Sequence, residues 1–170
     1  MHKYRHANCL NYEYYGKNSK YVELSNDTHN GLDENFEKTD KELQKVFDNK
    51  GVNIKGNYEV YKGIDVKKPY YAILEINNKK AGDSLYFPGY ISTTYLKSVA
   101  KEFCRKDGFL LVISGLNNAK CIVPKNRYIR FSSAKCQRER EILFKKGINL
   151  KIERINGQEI YAVIQPEGYK

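Results

Sequence analysis

Two glutamates separated by one residue, Glu139 and Glu141, stand directly before the apolar run Ile142–Phe144. Residues i and i+2 of a strand project from the same face, so a strand over 139–144 would place both carboxylates side by side and Arg140 opposite them. Like charges at that spacing repel each other unless a cation or a substrate separates their roles. The residues alone therefore indicate either an exposed strand face with two ordinary glutamates or a site that uses a paired carboxylate.

This pair lies in the most basic part of the chain. The 170 residues include 30 Lys or Arg and 20 Asp or Glu, which gives a formal net charge of +10. Segment 120–154 alone holds 11 basic and 3 acidic side chains. Such a concentration of positive charge suits nucleic acid, an anionic cofactor or an acidic protein partner, although solvated strand faces also carry it.

Composition excludes several classes of protein. With 41% hydrophobic and 13% aromatic residues, the chain is too apolar for a disordered tail. It has no run of about 18 apolar residues that could span a membrane, and residues 1–10 lack the apolar stretch of a secretory signal. The four cysteines have no Cys-x-x-Cys spacing, and the three histidines all lie in the first thirty residues. We therefore expect reduced thiols, no metal site and action in a reducing cytosol.

The elements that must position these residues combine helices with many short strands, which predicts an α+β fold. A capping box of Thr39 and Glu42 and the apolar stripe that follows it predict a helix over 39–49. A second helix is predicted over 96–103, and segment 70–76 fits either a helix or a strand. Extended segments are expected at 58–64, 86–93, 109–113, 119–124, 128–132, 139–144, 150–155 and 159–164. Asn156-Gly157 predicts a tight hairpin turn between the last two.

Three short segments, taken in order, carry a resemblance to a known family. They are Tyr61-Lys62-Gly63, Ser92-Thr93-Thr94 and Glu139-Arg140-Glu141 with its aliphatic run. This set resembles the ADP-ribosyltransferases of the Arg–Ser–Glu class, which comprises cholera-toxin-like, clostridial-toxin-like and vertebrate arginine transferases. The resemblance covers roughly residues 35–165. It implies an N-terminal lead-in over 1–34 and a single catalytic domain over 35–170.

The resemblance implies a fold of two small, packed, mainly antiparallel sheets with an N-terminal helical part. It also implies an enzyme that cleaves the nicotinamide–ribose bond of NAD through an oxocarbenium-like transition state and transfers ADP-ribose to a protein. Glu141 would stabilise the positive charge that develops on the ribose, and Ser92 would orient NAD and Glu141 by hydrogen bonding. Glu139 would activate the acceptor, and a Glu at that place implies arginine as the acceptor.

The resemblance further assigns residues to NAD binding and to recognition of the protein substrate. The residues expected to bind NAD are Tyr61, Lys62, Gly63, Thr93, Thr94, Phe103, Arg105 and Lys106. The residues expected to recognise the substrate are Phe131, Ser132 and Arg138. Phe103 would stack on nicotinamide or, equally, pack in the core. Lys62 departs from the Arg of the family, because an ammonium offers the NAD phosphate a point charge in place of a bidentate fork.

Two other functions are compatible with the sequence. An NAD glycohydrolase would use the same residues with water as the acceptor. A non-catalytic, basic, Tyr-rich nucleic-acid-binding module would explain the charge of segment 120–154 but gives no reason for a Glu-x-Glu within it. For the transferase we expect a monomer with NAD as co-substrate and no metal. The setting expected for it is a secreted or injected effector, a toxin or a phage protein.

Overall fold

Helix α1 opens the described part of the chain and starts earlier than the sequence indicated. In the computed structural model, which describes residues 33–123 and 140–168, this helix runs over Asp33–Lys50. It begins six residues before Thr39, so Thr39 lies within the helix and the capping-box prediction is wrong. At its end, the Gly51 amide donates to the Phe47 carbonyl at 2.9 Å, which agrees with the predicted termination.

Eight strands and a second helix follow α1. They are β1 (Val60–Ile64), β2 (Ser84–Phe87), β3 (Ile91–Thr94), α2 (Lys97–Cys104), β4 (Phe109–Ser114), β5 (Cys121–Ile122), β6 (Glu141–Phe144), β7 (Ile148–Asn156) and β8 (Glu159–Ile164). The strands form one sheet in the order β2-β7-β8-β4-β1-β3-β6-β5. The strand pairs described are antiparallel except for β4 with β8, which is parallel. The mainly antiparallel α+β prediction is therefore confirmed.

The sheet is one hydrogen-bonded unit, whereas two packed sheets were expected. A single core cluster nevertheless takes residues from all eight strands, including Leu85 and Phe87 of the edge strand β2 and Cys121 of the opposite edge strand β5. Strands at opposite edges can share one core only if the sheet bends so that its halves pack face to face. The two packed sheets that were expected are thus the two halves of one strongly curved sheet.

Smaller differences concern single elements. Segment 70–76, left undecided by the sequence, is mostly a 3-10 helix over Pro69–Leu74. The extended segment 86–93 is divided between β2 and β3, because Pro88-Gly89 interrupts it. The turn at Asn156-Gly157 is confirmed, with Gly157 at φ 59° between the antiparallel strands β7 and β8. The extended segment expected at 128–132 lies outside the described residues. Within the described ranges, no helix is long and apolar enough to cross a membrane.

Gly63 allows helix α2 to pack directly on β1. A Cβ atom at this position would lie 2.2 Å from the Ala100 carbonyl oxygen and 2.7 Å from the Cβ atom of Phe103. A residue with a side chain would therefore force the helix away from the strand. Tyr61 also packs toward α2, and since side chains alternate along a strand, Lys62 projects from the opposite side of β1.

Helix α1 covers one face of the paired strands β3 and β6. A buried cluster joins the helix to the strands: Leu43, Phe47, Tyr90, Ile122 and Leu143. Within it, the Phe47 and Tyr90 rings stack with their centroids 5.6 Å apart. The alternate residues of the two strands belong to the main core instead: Ile91, Ile142 and Phe144. This strand pair therefore has one face toward the main core and the other toward α1.

Candidate active site

Ser92 of β3 and Glu141 of β6 form the centre of the candidate site. The two strands pair with Ser92 opposite Leu143 and with Thr94 opposite Glu141. Ser92 and Glu141 are therefore diagonal neighbours on one face, close enough for their polar side chains to interact. The Ser92 hydroxyl donates a hydrogen bond to Oε1 of Glu141 at 2.6 Å. The structure thus brings together two of the three residues that the sequence marks as catalytic.

The surroundings of the Glu141 carboxyl make it less acidic than an exposed one. Burial raises the pKa of Glu141, and the Ser92 hydrogen bond and the positive charge of Lys62 offset part of that rise. Among the described residues, the Glu141 side chain receives one hydrogen bond, from Ser92. A carboxylate accepts up to about four hydrogen bonds, so the described residues use only part of the acceptor capacity of Glu141.

The Lys62 ammonium reaches the same place from β1. Its Nζ donates to the Ser92 carbonyl oxygen at 3.1 Å and lies 5.5 Å from the centre of the Tyr71 ring, within the range of a cation–π contact. Burial lowers the pKa of Lys62 to about 8, and the negative charge of Glu141 raises it in part. Tyr71 was not predicted, because segment 70–76 had no periodicity that would fix its side-chain directions.

Among the described residues of the Glu-x-Glu motif, Arg140 departs from the extended backbone that was expected. Strand β6 begins at Glu141, and Arg140 has a positive φ of 47°, which interrupts the extended backbone just before the strand. The side-by-side arrangement of Glu139 and Glu141 on one strand face therefore stays a prediction. Glu139 itself lies outside the described residues, as do the three expected recognition residues Phe131, Ser132 and Arg138.

Thr93 and Thr94 use their hydroxyls within the fold. The Thr93 hydroxyl donates to the Ile142 carbonyl at 2.7 Å, and the Thr94 hydroxyl accepts from the Leu96 amide at 3.1 Å. Both residues are buried. Thr93 thus ties β3 to β6 beside Glu141, and Thr94 fixes the start of α2. These contacts support the strand that carries Ser92, and NAD binding by either threonine stays a prediction.

The aromatic residues predicted to bind NAD lie on the α2 side of β1. Tyr61 packs against Ala100 and Cys104, and its hydroxyl lies 3.5 Å from Oε2 of Glu59. The Phe103 side chain lies next to Gly63 and is 46% exposed. That exposure argues against plain core packing for Phe103, and its stacking on nicotinamide stays a prediction.

The two cations that follow α2 are placed differently from each other. Arg105 forms an ion pair with Asp65, with 3.8 Å between Nε and Oδ2, and it adopts a positive φ of 54°. Lys106 is exposed, and its carbonyl accepts from the Gln158 side chain at 3.1 Å. Neither side chain contacts Ser92 or Glu141 within the described part of the chain, so their role toward the NAD phosphates stays a prediction.

The cysteines of the described ranges have unreactive surroundings. Cys104 and Cys121 are buried free thiols, and burial raises the pKa of both, to about 11 for Cys121. A thiol with a raised pKa is a poor nucleophile. In the same ranges no group of three or more His, Cys, Asp and Glu side chains could hold a metal ion. Within the described ranges, the polar groups that meet at the candidate site are those of Ser92, Glu141 and Lys62.

Comparison with known proteins identifies the fold. No family model matches this sequence, and no curated protein matches it. Among solved structures, the ADP-ribosyltransferase Vis from Vibrio splendidus, in complex with agmatine, is 18% identical with a TM-score of 0.58. The alignment covers 93% of this chain and 66% of Vis, so this chain spans slightly less than two thirds of that protein.

Two further solved structures are similar over most of their length. C3stau2 from S. aureus with NAD is 14% identical at a TM-score of 0.59, over 95% of this chain and 87% of its own. Exoenzyme S from Pseudomonas aeruginosa, in complex with human 14-3-3 protein beta and bound to carba-NAD, is 16% identical with a TM-score of 0.59. That alignment covers 99% of this chain and 74% of exoenzyme S. At these identities the likeness concerns architecture, and the chain has the ADP-ribosyltransferase fold.

Proposed function

We propose that this chain, built on the ADP-ribosyltransferase fold, is an NAD-dependent mono-ADP-ribosyltransferase that modifies a protein side chain and releases nicotinamide. The observation that carries the proposal is the hydrogen bond of 2.6 Å between Ser92 and Glu141. A partly buried carboxylate with spare acceptor capacity, oriented by a serine on the neighbouring strand, suits stabilisation of a cationic sugar. Exposed glutamates on a solvated strand would have no such orienting contact.

The reaction begins with cleavage of the bond between C1′ of the ribose and N1 of nicotinamide. The bonding electron pair leaves with nicotinamide, and positive charge develops on the ribose. Glu141 must be ionised to stabilise that charge, and the Ser92 hydroxyl and the Lys62 ammonium both favour the ionised form. An electrostatic group aimed at developing charge in this way is worth about 10²–10³ in rate.

Lys62 is the residue proposed to bind the diphosphate of NAD. Its ammonium can donate three hydrogen bonds, and one of them goes to the Ser92 carbonyl. The remaining capacity and the positive charge suit a phosphate oxygen as a point contact. Because the same ammonium contacts the Ser92 backbone, NAD binding at Lys62 and the orientation of Glu141 are coupled through one residue.

Arginine is the acceptor that we propose. A nitrogen of the arginine guanidinium would attack C1′ of the ribose and lose a proton, which Glu139 would accept or guide away. The support for this acceptor is the Glu at position 139, together with the likeness to Vis, whose structure contains agmatine, a compound with a guanidinium group. The setting we propose is a toxin or effector that acts on a protein of another cell.

The proposal is tested by incubating the protein with NAD labelled in its ADP-ribose part and a cell lysate. Wild type should transfer label to protein and release nicotinamide, and Glu141→Ala should do neither. Glu153→Ala is the matched control, because Glu153 is exposed on β7, and it should behave as wild type. Release of nicotinamide without labelled protein would instead identify an NAD glycohydrolase.

A second comparison addresses the acceptor. Glu139→Gln should retain nicotinamide release while losing label on protein, because it leaves Ser92 and Glu141 in place. Labelled protein should also lose its label under the conditions that release ADP-ribose from arginine but not from other side chains. If wild type gives neither product but binds nucleic acid with a steep salt dependence, the transferase proposal is wrong.

A further inference from the structure

Asp40 of α1 is a buried carboxylate with three donors from separate parts of the chain. Its Oδ1 accepts from the Tyr90 hydroxyl at 2.7 Å. Its Oδ2 accepts from the Lys146 ammonium at 2.6 Å and from the Gln44 side chain at 2.7 Å. Asp40 is 8% exposed, so this residue lies inside the fold. Lys146, which the sequence suggested as part of a basic surface, is used here within the fold.

The partners of Asp40 flank the strands that carry the candidate site. Tyr90 directly precedes β3, and Lys146 lies two residues after the end of β6. Because β3 and β6 are antiparallel and pair Ile91 with Phe144, both partners lie at the same end of the pair. The carboxylate of Asp40 therefore holds the two strands together at one end and attaches them to α1.

Ser92 and Glu141 belong to the face of the strands on which α1 packs. Tyr90 and Leu143 lie in the cluster with α1, and Ser92 and Glu141 are each two residues along the chain from one of them. Leu143 also stands directly opposite Ser92. A shift of α1 or of Tyr90 would therefore be transmitted along the same face to the hydrogen bond between Ser92 and Glu141.

We propose that Asp40 and Tyr90 are positioning residues, which act through β3 and β6 to set the Ser92–Glu141 hydrogen bond. Neither residue touches the reacting atoms in this account. The expected effect on catalysis rests on the proposed function, whereas the expected effect on the Ser92–Glu141 hydrogen bond does not. Loss of the Asp40–Tyr90 or the Asp40–Lys146 contact loosens the end of the strand pair. The Ser92 hydroxyl is then hydrogen-bonded to Glu141 in a smaller fraction of molecules.

The direction in which the pKa of Glu141 changes distinguishes a positioning role of Asp40 from a direct effect of the Asp40 charge. If the Ser92 hydrogen bond weakens, the ionised form of Glu141 loses a donor and the pKa of Glu141 rises. Removal of the Asp40 charge by itself would act in the opposite direction, because a nearby negative charge disfavours ionisation and its loss lowers the pKa. The two explanations therefore predict shifts of opposite sign for Asp40→Asn.

The experiment is a titration of the Glu141 carboxyl by NMR of protein labelled with ¹³C in Glu, with Glu141→Gln used to assign the signal. Tyr90→Phe removes one hydroxyl and no charge, and it should raise the pKa of Glu141 by up to about one unit, the loss expected for a hydrogen bond to a charged group. Asp40→Asn should also raise it. Tyr86→Phe, on an exposed tyrosine of β2, should leave it unchanged.

Kinetics give the second measurement. Tyr90→Phe should lower kcat for nicotinamide release about tenfold with little change in KM for NAD, at temperatures well below its Tm. A lower Tm with an unchanged pKa of Glu141 and unchanged kcat would overturn the inference and leave Asp40 and Tyr90 as purely structural residues. A lowered pKa in Asp40→Asn would overturn it as well. If wild type releases no nicotinamide, the proposed function fails, and the titration still decides whether the cluster sets the contact.

Discussion

Two carboxylates lie on the α1 side of the strand pair β3–β6, Asp40 of the helix and Glu141 of β6, and their environments differ. Asp40 accepts hydrogen bonds from Tyr90, Lys146 and Gln44, which come from three parts of the chain. Glu141 accepts one from Ser92 within the described residues, and burial raises its pKa. The described residues thus supply Asp40 with three donors and Glu141 with one.

Under the proposed function, this difference separates a carboxylate that stabilises the fold from one that takes part in the reaction. Each donor added to a buried carboxylate favours its ionised form and fixes its position. A carboxylate left with fewer donors costs stability, and such costs are common where a protein binds or transforms a substrate. We therefore expect substitution of Asp40 to lower mainly the stability of the fold and substitution of Glu141 to lower mainly the activity.

The largest expected effect on stability is that of Asp40→Ala. The substitution removes the ion pair between Asp40 and Lys146, and loss of one partner of a buried ion pair typically costs about 3–5 kcal/mol. The Lys146 side chain is 23% exposed, so its ammonium can contact water in the variant. We therefore expect a loss of about 3 kcal/mol in the free energy of unfolding, at the low end of that range. Urea denaturation measures this loss.

Asp48→Ala is the matched control for this prediction, because Asp48 is an exposed residue of the same helix. It should change the free energy of unfolding by less than about 0.5 kcal/mol. Glu141→Gln should also stay within that range. Equal losses for Asp40→Ala and Glu141→Gln would remove the distinction between the two carboxylates.

A smaller effect is expected in the pH dependence of NAD binding. Burial holds the pKa of Lys62 at about 8, so this residue loses its positive charge as the pH rises through 8. If the charged form binds the diphosphate, the Kd for NAD should rise above pH 8 and approach a tenfold increase per pH unit. Isothermal titration calorimetry between pH 7 and 9.5 measures this change.

Lys62→Arg should remove that dependence, because a guanidinium stays protonated throughout the range. Lys101→Arg, on an exposed lysine of α2, should leave the profile as in wild type. A wild-type Kd that is constant from pH 7 to 9.5 would show that Lys62 is not a phosphate ligand.

The smallest effect concerns stability as a function of pH. The pKa of Glu141 is raised in the folded protein, so the folded state binds this proton more tightly than the unfolded state. Its contribution to stability is present at low pH and is lost as the pH rises through the folded-state pKa. The Tm of Glu141→Gln relative to wild type should therefore increase from pH 4 to pH 7. The difference between Glu153→Gln and wild type should not change in this way.

The sequence predicted the site better than it predicted the contacts that hold the site. The Ser92–Glu141 pair could be expected, because each lies in a short motif within a strand and the family resemblance relates them. The extended backbone expected over 139–144 is interrupted at Arg140, whose positive φ leaves no signature in its residue type. Such a local departure from extended backbone cannot be read from apolar alternation.

Asp40 shows a second limit of sequence reasoning. In an amphipathic helix a polar residue is usually assigned to the solvent side, and nothing near Asp40 indicates otherwise. Its partners Tyr90 and Lys146 lie 50 and 106 residues away in the chain. Burial of this carboxylate therefore follows from tertiary packing, which no local pattern encodes. The same holds for Tyr71, whose ring lies near the Lys62 ammonium. Tyr71 belongs to the 3-10 helix Pro69–Leu74, and the apolar residues of that segment show no clear period.

The most direct test of the account is the rate of nicotinamide release from NAD by the purified protein, compared between wild type, Glu141→Gln and Glu153→Gln. Glutamine keeps the size of the side chain and removes its negative charge, so only the electrostatic role of Glu141 is lost. We predict a fall in kcat of about 10²–10³ for Glu141→Gln and no change for Glu153→Gln. Equal rates for wild type and Glu141→Gln would contradict the central claim that Glu141 stabilises the positive charge on the ribose.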